Sequence, residues 1–150
     1  MKRIFKAVGL LLASLVLLFG VMGLFGFEKL WRFAGPADMG PVVWEGLKKG
    51  PKPNQALVCP KGLCNDADMD WESPVYAVDG TALKAALLKA VESERDLKRV
   101  DDDNAEFELR FVTYSPTMRF PDTTRVRIIP IDENSSTIAL YAQAQIGVRD

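Results

Sequence analysis

The sequence predicts an α+β protein: an antiparallel sheet with one covering helix, preceded by a single N-terminal transmembrane helix. Three observations carry this reading. An uncharged run of 21 residues, Ala7 to Phe27, opens the chain. One stretch with helical spacing of its apolar residues follows Asp79. Three stretches of period-two alternation come after it, joined by short connections. Strands of that kind form a meander, and one helix can cover its apolar face.

The opening run, AVGLLLASLVLLFGVMGLFGF, is broken only by Ser14 and four glycines. At about 1.5 Å per residue it spans about 31 Å, close to a bilayer core of about 30 Å. A secretory signal has a shorter apolar region, about 7–15 residues, and a small-residue cleavage site. Here the run passes directly into Glu28-Lys29-Leu30-Trp31-Arg32-Phe33, so an uncleaved anchor over residues 7–27 is expected. Lys2, Arg3 and Lys6 precede it, whereas Lys29 and Arg32 are the basic residues in the twenty that follow. The positive-inside rule then leaves residues 1–6 in the cytoplasm and everything after the anchor outside. The expected location is the inner (cytoplasmic) membrane, single-pass, with a periplasmic or otherwise extracytoplasmic domain. Trp31 and Phe33 suit either the headgroup interface or the start of that domain.

Residues 28–53 are expected as a Pro/Gly-rich tether. Five of the nine prolines lie between Ala34 and Gly62, and no apolar periodicity survives them. Trp44 and Leu47 are candidates to dock on the domain, which is expected over residues 54–150. Val75–Val78 reads as a short strand. Asp79 or Thr81 caps a helix with Leu83, Ala86, Leu87, Ala90 and Val91 on one face, running to about Glu94. Phe107–Phe111 and Thr124–Ile129 alternate apolar and charged residues. Pro130 marks an edge or a strand end, and Asp132–Ser135 a turn. Thr137–Ile146 is a long strand with Ile138, Leu140, Ala142, Ala144 and Ile146 on one face. One helix covers about half of such a sheet, so some apolar surface is expected to stay open.

Composition removes several function classes. There is no histidine, so a histidine general base, a Ser-His-Asp triad and histidine-ligated metals are excluded. Two cysteines cannot make a structural zinc site alone. Of the 19 basic residues three precede the apolar run, leaving 16 against 20 acidic ones, a net charge of −4. A domain so charged, without a basic stripe, is a poor nucleic-acid binder. No metal or other cofactor is implied, and no catalytic residue stands out.

Some side chains invite a role. Cys59 and Cys64 are separated by Pro60-Lys61-Gly62-Leu63, which can fold back and let them pair in an oxidising compartment. Asp66, Asp68 and Asp70 match the start of a calcium loop, but Trp71 and Ala77 stand where that loop needs glycine and glutamate. Asp101-Asp102-Asp103-Asn104 is a second acidic cluster. Arg125 and Arg127 share one face of a strand and form a candidate anion contact; the plainer reading is a solvated face paired with Glu106 or Glu108. Phe107, Phe111, Ile128 and Leu140 either line a ligand cleft between helix and sheet or simply fill the core.

The order Pro53-Asn54-x-x-Leu57-Val58-Cys59, Ser73-Pro74-Val75-Tyr76, Arg119-Phe120-Pro121-Asp122 and Gln145-Ile146-Gly147-Val148-Arg149-Asp150 resembles the uncharacterised family called domain of unknown function 1499, over about residues 53–150. The resemblance implies no activity and no catalytic residues. It implies a further basic segment with a closing helix beyond the position of Asp150, where this chain ends.

Taken together, the sequence points to a membrane-anchored binding or interaction module of the bacterial envelope. The expected partners are the lipid bilayer and either an apolar ligand or a membrane protein. The alternative is an envelope enzyme using carboxylate or cysteine chemistry.

Overall fold

A computed structural model describes residues 2–101 and 106–146. Asp102–Asn104 of the second acidic cluster and Gly147–Asp150 of the family-like ending lie outside the described residues.

The apolar run forms α1 (Lys2–Phe25). Its 24 residues are about 36 Å long. An 18-residue window, Ile4–Val21, has mean hydropathy 2.4 and is 0% buried by the rest of the chain. The helix is therefore long and apolar enough to cross a membrane. It stops two residues short of the expected end, because Gly26 adopts φ 80° and breaks it. Phe27 belongs instead to a short second helix, α2 (Phe27–Trp31).

The remaining elements are β1 (Gln55–Cys59), β2 (Trp71–Glu72), α3 (Gly80–Val91), β3 (Leu97–Arg99), β4 (Glu108–Tyr114), β5 (Pro121–Asp132) and β6 (Ser135–Ala144). They build a six-stranded sheet in the order β2-β1-β6-β5-β4-β3. The expected meander is its centre, with Leu109 opposite Val126 and Val126 opposite Leu140. All neighbours are antiparallel except β1 and β2. Val75–Val78 is not a strand. It contributes a single bridge, Tyr76 to Ser136; Pro74 cannot donate, and Val75 and Val78 are exposed, so no buried face holds them in a ladder. Pro130 falls near the end of β5, at a register shift between Pro130 and Asp132, where its missing N–H is tolerated.

Asp79 caps α3, its Oδ1 accepting from the Ala82 N–H. The helix ends at Val91, earlier than expected, with the Glu92 N–H closing on the Leu88 carbonyl. Leu83, Leu87, Leu88 and Val91 face the sheet, packing on Leu109, Phe111, Val126 and Ile128, while Ala86 and Ala90 are exposed. The apolar stripe is thus turned toward Leu88 relative to the expected face.

The opposite face of the sheet is covered as well, against expectation. Trp44, Leu57, Cys59, Cys64, Ala139 and Tyr141 are buried together, with Val42, Leu47, Leu63 and Met69 packed around them. The residues expected as a tether form a strap along β5. Thr123 Oγ1 donates to the Ala37 carbonyl and accepts from the Met39 N–H. Arg125 Nε donates to the Gly40 carbonyl, and Arg127 pairs with Glu45. Further along, the Gly46 N–H reaches the Leu63 carbonyl. One covering helix is also one too few: α2 packs on the β4–β5 connection, with Trp31 against Phe120, ring centroids 4.6 Å apart.

Candidate anion site under the strap

Period two along β5 places Thr123, Arg125 and Arg127 on the strap side. The register sets Arg110 of β4 opposite Arg125, and Glu108 opposite Arg127. Three guanidinium groups thus share one patch, each treated differently. Arg127 is held between Glu45 at 2.8 Å and Glu108 at 3.4 Å, a third exposed. Arg110 meets Asp38 through Nε at 2.7 Å and donates Nη2 to the Val100 carbonyl.

Arg125 is the exception. It is 4% exposed, its Nε bonds the Gly40 carbonyl at 2.6 Å, and its guanidinium carbon lies 5.4 Å from the Tyr141 ring centroid. Among the described residues its Nη1 is buried with no hydrogen-bond partner. Burial pulls the Arg125 guanidinium below its ordinary value and Arg110 does the same, while Tyr141 and Asp38 act the other way. A buried cation with an unused donor costs several kcal/mol unless an anion or acceptor satisfies it.

A cavity of about 170 Å³ adjoins this group, lined by Pro41, Val42 and Trp44 of the strap and by Arg110 and Arg125 of the sheet. Asp101 and Glu108 line it too, and Glu108 is paired with Arg127. Asp101 is already engaged by Arg99 and by the Arg110 N–H. Burial raises the Asp101 carboxyl, but Arg99 and the backbone donors outweigh it and hold the group below its ordinary 3.8. The arrangement sets a buried guanidinium beside the apolar strap residues Pro41, Val42 and Trp44, with the two lining carboxylates already engaged by Arg99 and Arg127, which suits a carboxylate on a small apolar body.

Comparison with family models, with curated proteins and with solved structures finds no match. The site is therefore read from its own chemistry.

Of the expected anion pair, Arg125 lies at the cavity, whereas Arg127 is neutralised by two carboxylates beside it. Sequence reasoning missed Arg110, although the alternation of Phe107–Phe111 already put it on the polar side. What it lacked was the register that brings Arg110 opposite Arg125, and the strap. Phe107, Phe111, Ile128 and Leu140 do come together, on the other face of the sheet, where Leu83, Leu87 and Val91 pack among them. Phe107 and Ile128 also border an open surface depression with Leu63 and Pro130.

Cys59 and Cys64 have their sulfurs at bonding distance and their Cα atoms 6.1 Å apart, within the usual range for a disulfide. The acidic run serves local structure. Asp66 Oδ1 accepts from the Gly62 N–H, and Asp70 accepts from Lys49 and from the Leu57 N–H. Among the described residues no group of three or more Cys, Asp or Glu is placed to hold a metal ion.

Proposed function

We propose that the chain is a single-pass membrane protein of the bacterial envelope whose extracytoplasmic domain binds a small monocarboxylate at Arg125. The observation that carries the ligand is the buried, unpartnered Nη1 of Arg125, a residue that lines the cavity under the strap. Charge favours a monoanion. Around the cavity the guanidinium groups of Arg99, Arg110, Arg125 and Arg127 are balanced by Asp38, Glu45, Asp101 and Glu108, so each added negative charge goes unopposed and a dianionic phosphate is penalised more than a monocarboxylate. The basic residues ahead of α1 and the disulfide support an extracytoplasmic position. The Pro-Asn and Phe-Pro-Asp motifs support placing the domain beside the family called domain of unknown function 1499.

Binding is favoured over the enzymatic alternative because the cysteines are joined and Asp70 and Asp101 are committed to structural hydrogen bonds. The test is a thermal-shift titration of the detergent-solubilised full chain with short-chain monocarboxylates, dicarboxylates and inorganic phosphate. At least one monocarboxylate is expected to raise the melting temperature of the wild type and leave Arg125→Met unmoved. Equal responses of the two proteins, or a phosphate response alone, would overturn the reading. Topology is checked separately: a reporter active only outside the cytoplasm works after Asp150 and is silent before Ala7.

A further inference from the structure

The joint between α1 and the domain is a single residue, Gly26. Beyond it α2 is fixed to the sheet by several contacts. Trp31 Nε1 donates to the Met118 carbonyl at 2.7 Å. Glu28 receives Arg119 through Nε and Nη2, with Lys98 at 3.7 Å. Arg119 also pairs with Asp96, and it holds a φ of 56° at the turn leading into β5. The Arg119-Phe120-Pro121 segment is thus the seat of α2. If α1 spans the bilayer, this end of the domain sits at headgroup depth.

A cavity of about 430 Å³ opens there between α2, the strap and the sheet. Its walls carry Glu28, Trp31 and Arg32 from the membrane side and Lys98, Tyr114 and Gln145 from the domain; Glu28 is already matched by Arg119 and Lys98. Arg32 is exposed and, among the described residues, has no carboxylate partner. Gln145 is 8% exposed; its Nε2 donates to the Pro36 carbonyl at 2.6 Å. Among the described residues its buried Oε1 accepts from nothing. Beside the cavity Phe33 is 92% exposed, an aromatic ring that suits the membrane interface.

Resting on the anchor proposed above, we infer that this cavity holds the headgroup of an anionic phospholipid whose headgroup also carries a hydroxyl donor. Arg32 and Lys98 meet the phosphodiester. Gln145 Oε1 accepts from the headgroup hydroxyl, satisfying a buried acceptor. Trp31 and Tyr114 border the glycerol backbone, where amphipathic rings are favoured. Phosphatidylglycerol has both features and is the probe.

The full chain is reconstituted in vesicles of equal phosphatidylcholine and phosphatidylglycerol, extracted in mild detergent, and its retained lipid counted by native mass spectrometry. The wild type is expected to keep phosphatidylglycerol over phosphatidylcholine by about tenfold, a preference that the Arg32→Gln/Lys98→Gln double variant loses. Lys48→Gln/Lys61→Gln removes the same charge elsewhere and keeps the preference. Equal retention of both lipids by the wild type, or an unchanged preference in Arg32→Gln/Lys98→Gln, overturns the site while leaving the anchor standing. Displacement of the retained lipid by free glycerol phosphate overturns it in favour of a soluble anion. Release of the chain from vesicles by alkaline carbonate overturns the anchor and the site together.

Discussion

Arg110 and Arg125 stand directly opposite one another on β4 and β5, a placement of like charges that disfavours strand pairing. Asp38 answers one of them, 2.7 Å from Arg110 Nε, and a backbone carbonyl answers part of the other. Among the described residues the charge on Arg125 is kept in the sheet without a carboxylate of its own, which weighs against a purely structural role.

That imbalance predicts how the ligand-free protein responds to Arg125→Met. Replacing a poorly compensated buried charge by an apolar chain of similar length is often neutral or stabilising, by about 1–4 kcal/mol. The lost bond to the Gly40 carbonyl reduces this gain, so unfolding free energy is expected to stay level or rise by about 1 kcal/mol. Urea denaturation checks it. A fall of more than about 2 kcal/mol would mark Arg125 as a structural brace.

Gly80 sets how closely α3 approaches β5. A Cβ added there would lie 2.9 Å from Pro130 Cγ and 3.1 Å from the Phe107 ring. Gly80→Ala gains helix propensity of about 1 kcal/mol or less, but the proline ring cannot move aside as a flexible chain end would. Overpacking of this kind costs about 1–3 kcal/mol. A net loss of stability is expected, read as a lower melting temperature, whereas Ala86→Gly on the exposed side should lose only about the propensity difference.

The Cys59–Cys64 bridge closes a short loop whose ends are both buried, beneath Trp44 and Leu57. Cross-linking a loop of this length contributes about 2 kcal/mol through the unfolded chain. Cys64→Ser, or reduction of the wild type, is expected to lower the melting temperature by several degrees, on the scale of about 2 kcal/mol in a domain this size. Non-reducing digestion of protein made in the envelope should yield a peptide joining the two cysteines.

Acid should weaken the fold while mild alkali does not. Burial raises Asp70 and Asp101, yet Lys49 and Arg99 with nearby backbone donors outweigh it and hold both below their ordinary 3.8. For Glu28, Arg119 is the main influence and lowers it below 4.5. A carboxylate whose folded value is depressed stabilises the fold above its unfolded value and loses that contribution as the pH falls through the folded one. With no histidine to titrate in between, stability should be level from about pH 5 to 8 and drop below about pH 4. The denaturation midpoint against pH measures it, and Asp101→Asn should flatten the acid limb.

The strands β4 to β6 are legible because each carries apolar residues on the α3 side, alternating with residues that are mostly polar or small. The start of α3 is legible to within two residues, as a cap by Asp79 or Thr81, and the Ala82 N–H donates to Asp79. The second covered face is not. Its inward residues on β5 are Thr123, Arg125 and Arg127, polar types that read as solvated until something lies over them. What lies over them is Pro- and Gly-punctuated chain, whose bonds to β5 follow the spacing of the strand and not any period of its own. On β6 the apolar face chosen from Ile138 and Leu140 was real, yet Ala139 and Tyr141 on the reverse are more completely buried, because Trp44 and Leu57 cover them. The anion site depends on that strap and on cross-strand register, and neither is a local property of sequence.

The sheet is bordered by its shortest strands, Trp71–Glu72 on one side and Leu97–Arg99 on the other. Long unpaired borders are templates for lateral strand addition, and short, charged ones blunt it. On a surface, where copies are crowded into two dimensions and meet side by side, this matters more than in solution. Lys98 and Arg99 on one border and Glu72 on the other leave neighbouring molecules little ladder to extend. Where α1 anchors the domain as proposed, copies can lie side by side without their sheets joining at these borders.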